Sequence, residues 1–232
     1  MKEADMFNKM FSKKLQEKMT DKLLNYIAPL GKQKNYSKNQ IVEICDSNHI
    51  YIVTNGYFKE LVYSPEGKEI SFYRLNAGTI FGEMDFFDNQ KTFGIVKSLE
   101  ENSSISAVNR KIIEEMLITD KELYWCFMHS IIRKFRIISL NYVNSLSNDS
   151  TGKLAGFLIA LIAQHGQKCT QESKIIPYPY THQEIANALG ISRITITKSI
   201  NELKKLGLIT YYGKYIKIEN PKELMKLYKT VW

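Results

Sequence analysis

The side chains best suited to chemistry lie in one short stretch. Residues Ser192–Lys198 read SRITITK, and Asn201 follows about a turn later. Hydroxyls, a guanidinium, an ammonium and an amide are hydrogen-bonding groups, but none of them has the companions that would make a catalyst. No Ser/His/Asp arrangement, HExxH motif or P-loop spacing occurs in the chain. Glu100–Glu101 and Glu114–Glu115 are adjacent pairs whose side chains diverge, so they read as solvated charge. The chemistry on offer is recognition rather than turnover, and no enzymatic activity is expected.

Those residues must be held by something. Alone, SRITITK alternates like a strand, and its β-branched residues are mediocre helix formers. Its neighbours decide the matter. Thr181 and Glu184 have the spacing of a capping box at the start of one helix. Gly190 permits a sharp turn after that helix, and Ser192 suits the N-cap of the next. Ile185, Ala186, Leu189, Ile191, Ile196, Ile200, Leu203 and Leu206 then interlock in one small core, giving a helix-turn-helix. At about 100° per residue, Ile196, Ile200 and Leu203 face inward, while Ile194, Lys198, Asn201 and Lys205 face outward with Thr197 beside them. An outward isoleucine suits a face that meets another surface. In a DNA major groove it can touch a thymine methyl, while Arg pairs with guanine and Asn or Thr reads base edges. The segment LITYYGKYIKIEN adds a two-stranded wing round Gly213, offering Tyr211, Tyr212, Lys214 and Tyr215 to phosphate and sugar.

The charge agrees. Residues 1–150 carry 20 Lys/Arg against 19 Asp/Glu, whereas residues 151–232 carry 12 against 5. Nearly all of the net +8 thus lies in the last third, which points to a polyanionic partner. The N-terminus has no apolar core of the secretory type, and the longest apolar run, Leu154–Ala163, is too short to span a bilayer. A cytoplasmic protein with no membrane partner is expected. Cys45, Cys126 and Cys169 are far apart and form no metal-binding spacing, so they read as buried or idle thiols and no metal site is expected.

Upstream, Phe7, Met10, Phe11, Leu15, Met19, Leu23, Leu24 and Ile27 are spaced as short helices over about residues 5–30, broken before Pro29. From about 33 to 110 the pattern becomes short strands punctuated by Asn-Gly, Pro-Glu-Gly and Ala-Gly, which predicts an antiparallel sandwich or barrel. One long helix follows. Met128, Ile131, Phe135, Ile138 and Tyr142 alternate by three and four on it, the pattern of a seam between two copies of the chain. The spans are 1–118 for the N-terminal helices and strands, 119–147 for the dimerisation helix, 148–152 for a hinge within SNDSTG (Ser147–Gly152) and 153–232 for the winged helix-turn-helix. The fold class is α+β.

In their order, these parts resemble the CRP/FNR family of bacterial transcription regulators, the cyclic-AMP receptor and fumarate–nitrate reduction regulators. The resemblance covers nearly the whole chain. It rests on IYIVTNGYFKELVYSPEGKEISFYRLNAGTIFGEMDFF, with Gly56, Gly67, Gly78 and the Gly82–Glu83 pair, and on THQEIANALGISRITITKSINELKKLGLI. It implies an effector-sensing double-stranded β-helix (a cyclic-nucleotide-binding-like jelly roll), a homodimer, and duplex DNA with an inverted repeat as partner. RNA polymerase and a small-molecule effector are further implied partners. Under this resemblance SRITITK matches a Ser-Arg-Glu-Thr-Val-x-Arg pattern. Ser192 would bind phosphate, Arg193 would read guanine, Thr195 would touch the DNA backbone and Lys198 would contact base or phosphate. Thr181, Gln183, Thr197, Asn201 and Lys214 complete the expected DNA surface. Ile194 replaces the family's Glu, which shifts the expected half-site toward A·T there.

The family's cyclic-nucleotide pocket resembles Gly-Glu followed some ten residues later by Arg-Ser. Here Gly82 and Glu83 remain, but Thr92, Phe93 and Gly94 stand in place of Arg-Ser. A buried phosphate would lack its partner, so cyclic AMP is not expected; Gly82 then serves a tight turn and Glu83 a cap. The N-terminus lacks the cysteine cluster of the iron–sulfur branch. His49, Met84, Met128 and His129 leave a haem-based nitric oxide or redox sensor as an alternative. An apolar pocket of Phe72, Tyr73, Phe81, Phe86, Phe87 and Phe93, with Gly82, Glu83 and Met128, is the expected effector site, the other reading being that the rings are core. A ligand-binding module that uses the winged helix for protein contacts is the alternative of a different class.

Overall fold

The computed structural model describes residues 11–44, 47–91, 93–170 and 172–229. Phe7, Met10, Cys45 and Thr92 lie outside them. Two compact units result, one of residues 14–137 and one of the described residues from 138 on, with 11–13.

The first unit opens with α1 (Lys13–Lys22), a π turn (Leu23–Ile27) and a 3-10 turn (Ala28–Leu30) that takes Pro29 at its start, where a missing N–H is harmless. Eight strands follow: β1 (Lys32–Tyr36), β2 (Ile41–Val42), β3 (His49–Asn55), β4 (Tyr57–Tyr63), β5 (Glu69–Asn76), β6 (Ile80–Phe81), β7 (Ile95–Ser98) and β8 (Ser103–Asn109). They form two antiparallel sheets, ordered β1-β8-β3-β6 and β2-β7-β4-β5. Between β6 and β7 lies α2 (Glu83–Asp88), and after β8 comes α3 (Arg110–Thr119).

Strand β3 explains the layering. Its Tyr51 and Val53 join Phe58, Leu75, Phe81, Val96 and Ile105 in a core drawn from both sheets. Its Ile50 and Ile52 join Met19, Leu23, Ile27, Val108, Leu117, Leu123 and Phe127 in a second core under the helices. Both faces of the strand are covered, which is why it reads as an unbroken apolar run rather than an alternation. β1 (KQKNY) shows no apolar signal; four of its five residues are exposed, and only pairing with β8 makes it a strand.

The long helix α4 runs from Lys121 to Ser147. The second unit continues with α5 (Ser150–His165), short strands β9 (Gln167–Lys168) and β10 (Lys174–Ile175), α6 (His182–Leu189), α7 (Arg193–Lys205), β11 (Ile209–Tyr212), β12 (Tyr215–Ile218) and α8 (Pro221–Lys226). The wing is therefore larger than a hairpin, since β10 and β9 extend it to a sheet ordered β11-β12-β10-β9.

The expected hinge is corrected. α5 begins at Ser150, not Lys153, because Asp149 caps it by accepting from Gly152 N at 2.8 Å. Only Asn148 and Asp149 separate the helices, and Asn148 is buried. Its amide donates to Lys229 O at 3.2 Å and accepts from Lys229 N at 2.8 Å, while Asn144 donates to Lys153 O at 2.9 Å. A loose linker would not be pinned at three points. Replacing Asn148 with Ala removes two of these bonds and is expected to destabilise the second unit by about 1–2 kcal/mol, read as a lowered urea midpoint with unchanged slope.

Candidate nucleic-acid interface and interior cavity

The helix-turn-helix is built as its residues require. Thr181 Oγ1 accepts from Glu184 N at 3.1 Å while the Glu184 carboxylate accepts from Thr181 N at 2.7 Å, completing the capping box. Gly190 ends α6 at φ 66°, and Ser192 Oγ accepts from Thr195 N at 3.1 Å to start α7. Ile185, Ala186, Ile196, Ile200 and Leu203 are buried behind the turn. On the other side Arg193, Ile194, Lys198, Asn201 and Lys205 are exposed, Ile194 by 71%. None of the three cations forms an ion pair among the described residues. Lys214 is exposed at the wing turn with its ammonium 5.7 Å from the centre of the Tyr215 ring.

The hydroxyls are less available than the sequence suggests. Ser192 Oγ and Thr195 Oγ1 lie 2.8 Å apart, and Thr197 donates to Arg193 O at 2.9 Å. Gln183 donates to Asn187 at 2.7 Å. These groups hold the helices, whereas the side chains of Arg193, Lys198, Asn201 and Lys205 are left to solvent among the described residues. His182, which the sequence reading passed over, lies on this side too, with Nδ1 2.9 Å from Thr197 Oγ1.

Inside the roll the surprise is electrostatic. Glu60, Glu83 and Asp85 are buried, and so is Lys134 of α4. Lys134 Nζ donates to Glu83 Oε1 at 2.5 Å and to Ile80 O at 2.9 Å; Ser130 Oγ donates to the same Glu83 oxygen at 3.1 Å. Tyr73 donates to Glu60 Oε2 at 2.9 Å. Burial pushes the Glu60 carboxyl above its usual range, against the pull of Lys134 and of the Tyr73 hydrogen bond. Gly82 takes φ 81° at the start of α2, a left-handed turn that sends Glu83 inward. The space left among Glu60, Glu83, Asp85, Gly94 and Lys134 is about 10 Å³, about one water.

The comparisons with known proteins fall on both units. The model of the cyclic nucleotide-binding domain matches residues 33–120, and that of the Crp-like helix-turn-helix domain matches residues 152–227. A CRP-like cAMP-activated global transcriptional regulator of Mycobacterium tuberculosis is 24% identical over 181 residues, covering 77% of this chain and 79% of that protein. The cAMP-activated global transcriptional regulator CRP of Haemophilus influenzae is 26% identical over 171 residues, covering 74% and 75%. Among solved structures, FixK2 from Bradyrhizobium japonicum has a TM-score of 0.73 at 15% identity over 87% of this chain and 99% of that one. A CooA mutant from Carboxydothermus hydrogenoformans has a TM-score of 0.75 at 18% identity, covering 88% and 93%. The chain belongs to the CRP/FNR family. It is a DNA-binding transcription regulator of that family, with a cyclic-nucleotide-binding type of roll before its helix-turn-helix.

Within this family member the expected effector pocket does not assemble. Gly82 and Glu83 line the small interior cavity, and Glu83 is an ion-pair partner rather than a cap. Phe93 is 79% exposed and meets Phe72 edge-on at 5.9 Å. Tyr73 and Phe81 belong to the core between the sheets, and Phe86 to the core under the helices. Met128 lies elsewhere, in an open apolar groove with Phe87, Tyr124, Trp125, Phe127 and Ile131. Tyr73, Phe81 and Phe86 are core because both faces of β3 are covered. Of the haem-ligand candidates, His49 stacks obliquely with Tyr51, and His129 meets Gln16 at 3.3 Å, its imidazole held below its usual range by burial, Arg133 and Arg136. Met84 is 41% exposed. No helix of the described residues is long and apolar enough to cross a membrane. Cys126 is buried and Cys169 exposed.

Sequence reasoning missed Glu60 and Lys134, though both left a signal. Glu60 shares strand parity with buried Phe58, and Lys134 stands on the inward stripe of α4 with Leu123, Phe127 and Ser130. A charge on a buried face announces an interior partner, which for Lys134 is Glu83 and for Glu60 is the Tyr73 hydroxyl. Changing Lys134 to Met leaves the Glu83 carboxylate buried and unpaired, an expected loss of about 3–5 kcal/mol. Adding Glu83→Gln should recover much of it, measured by urea unfolding of the two variants.

Proposed function

We propose that the chain acts as a homodimer that binds an inverted-repeat DNA operator, with Arg193, Lys198 and Asn201 reading or gripping the duplex and Ile194 meeting a thymine methyl. The observation that carries this is the outward face of α7, where an exposed isoleucine stands among donors with no intramolecular partner of opposite charge. Nothing in folding accounts for an isoleucine there, and a major groove does. The protein works in the cytoplasm, where its DNA and RNA polymerase are.

The dimer rests on α4. Met128, Phe135, Ile138 and Tyr142 are exposed by 49%, 69%, 41% and 65%, and with Ile131 they repeat at three and four residues. A stripe of that period is what a second copy of the same helix covers. Phe135→Glu should then give a monomer in sedimentation equilibrium and weaken operator binding by at least tenfold; a dimer that survives it moves the interface elsewhere.

On this reading the roll takes no cyclic AMP, although the relatives from Mycobacterium tuberculosis and Haemophilus influenzae are cAMP-activated by name. The residues present do not fit one. Phe93 and Gly94 offer no cation, a Cβ on Gly94 would come within 2.8 Å of Glu60 Oε1, and the free space holds about one water. The effector, if small, enters by moving Lys134 off Glu83. Selection of random duplexes by the purified protein, without added ligand and at moderate salt, tests the whole reading. An inverted repeat with half-sites about one helical turn apart is expected. Ile194→Glu should change the preferred base at one position of each half-site, and Arg193→Ala should cost about 1–3 kcal/mol of discrimination. Sequence-blind binding by the wild type, or an unchanged site with Ile194→Glu, would count against it.

A further inference from the structure

We infer that His182 is a further DNA contact, a proton-gated one: its Nε2 engages a backbone phosphate as an imidazolium, so that operator binding takes up a proton at each protomer. The inference rests on the DNA-binding reading above and concerns the same face.

The hydrogen-bond directions fix the ring. A carbonyl only accepts, so the single hydrogen of the Thr197 hydroxyl goes to Arg193 O, 2.9 Å away. Thr197 Oγ1 therefore accepts from His182 Nδ1 at 2.9 Å, and Nδ1 carries the proton in the neutral ring. That leaves Nε2 as a bare lone pair on a half-exposed side chain, next to the recognition helix. Neutral, it repels a phosphate oxygen, because two acceptors meet. Protonated, it becomes a charge-assisted donor.

The surroundings keep it neutral until DNA arrives. Burial, Lys204 and Arg193 hold the imidazole below its usual range. These two cations of α7 are the charged groups bearing on it, and the nearest acid of its own helix, Glu184, is turned back to Thr181. A phosphate brought against this face reverses the balance and favours the charged ring. The sign follows. The ring binds its proton more tightly in the complex than in the free protein, so affinity rises as pH falls between the two values and levels off below the lower one. His182 also braces Thr197, which ties the first turn of α6 to the recognition helix and makes its ring rigid rather than a loose tether.

The test uses the full-length protein and a duplex it has itself selected from random sequence. Affinity is measured from pH 8.5 to 5.5 for wild type, His182→Gln and His182→Arg. The wild type should tighten by up to about tenfold per pH unit for each His182 within its window. His182→Gln should lose that slope and stay at the weak, high-pH limit, while His182→Arg should bind at the tight limit at every pH. At low pH the wild-type dependence on salt should steepen by about 0.9 in log K per log salt for each added phosphate contact. Titration of the His182 Cε1–H resonance in wild type, free and bound, reads the same shift without a mutation. Superimposable pH profiles for wild type and His182→Gln, or an unchanged His182 titration on binding, would overturn the inference. Absence of duplex binding at every pH would instead overturn the DNA reading on which it rests.

Discussion

A carboxylate shut away from water must meet a positive charge, and in this roll Glu83 meets it on the long helix. Lys134 reaches in from α4 to make the pair, and Ser130 one turn earlier adds a second bond to the same oxygen. Two contacts at that spacing fix the rotation of α4 about its own axis. With Ser130 and Lys134 inward, the stripe of Tyr124, Met128, Ile131, Phe135, Ile138 and Tyr142 is carried about a quarter of a turn round, away from the residues buried with Leu123 and Phe127. The helix is therefore two-sided by construction. One polar pair inside the roll determines which apolar residues remain uncovered outside it.

The same pair takes up the buried cation of the roll. In this chain the buried cation is engaged by Glu83, and a second buried acid, Glu60, stands against Gly94 under the hydroxyl of Tyr73. The bulge opposite Glu60 and Leu61 leaves Phe72 as the extra residue of β5, so the strand is bent where the acid turns in. Burial and the neighbouring acids Glu60 and Glu83 push the Tyr73 hydroxyl far above its usual range, which keeps it a donor at any ordinary pH. Each of these interior groups is held by a fixed partner.

Much of the fold was legible because it is written in local chemistry. The capping box at Thr181 and Glu184, the N-cap at Ser192, the turn glycines and the outward Ile194 are readable one helix at a time, and they carry the recognition face. The apolar positions of α4 announced their period in the same way. What stayed hidden depends on partners far apart in the chain. β1 is polar and becomes a strand only by lying beside β8. The phenylalanines of the expected pocket are scattered, Phe81 and Phe86 going to two different cores and Phe87 and Phe93 to the surface, a division that follows from sheet stacking and not from spacing. Glu83 and Lys134 are 51 positions apart in the numbering, and their pairing depends on the long helix packing on the roll. His182 was overlooked because a lone histidine carries no pattern; its meaning lies in the hydroxyl it faces.

The bonds at Asn148 also redefine the smallest piece of chain able to stand alone. The matched helix-turn-helix domain spans residues 152–227. Asn144 holds Lys153 O from before that span, and Asn148 holds both backbone groups of Lys229 from before it to after it. Tyr228, also beyond it, is buried so closely on Gly156 that a Cβ there would fall 2.5 Å from its ring. A fragment cut at the domain limits would strip both ends of their fastenings together. One begun a turn before Asn144 and carried past Lys229 keeps them, so the last turn of the long helix belongs, mechanically, to the DNA reader.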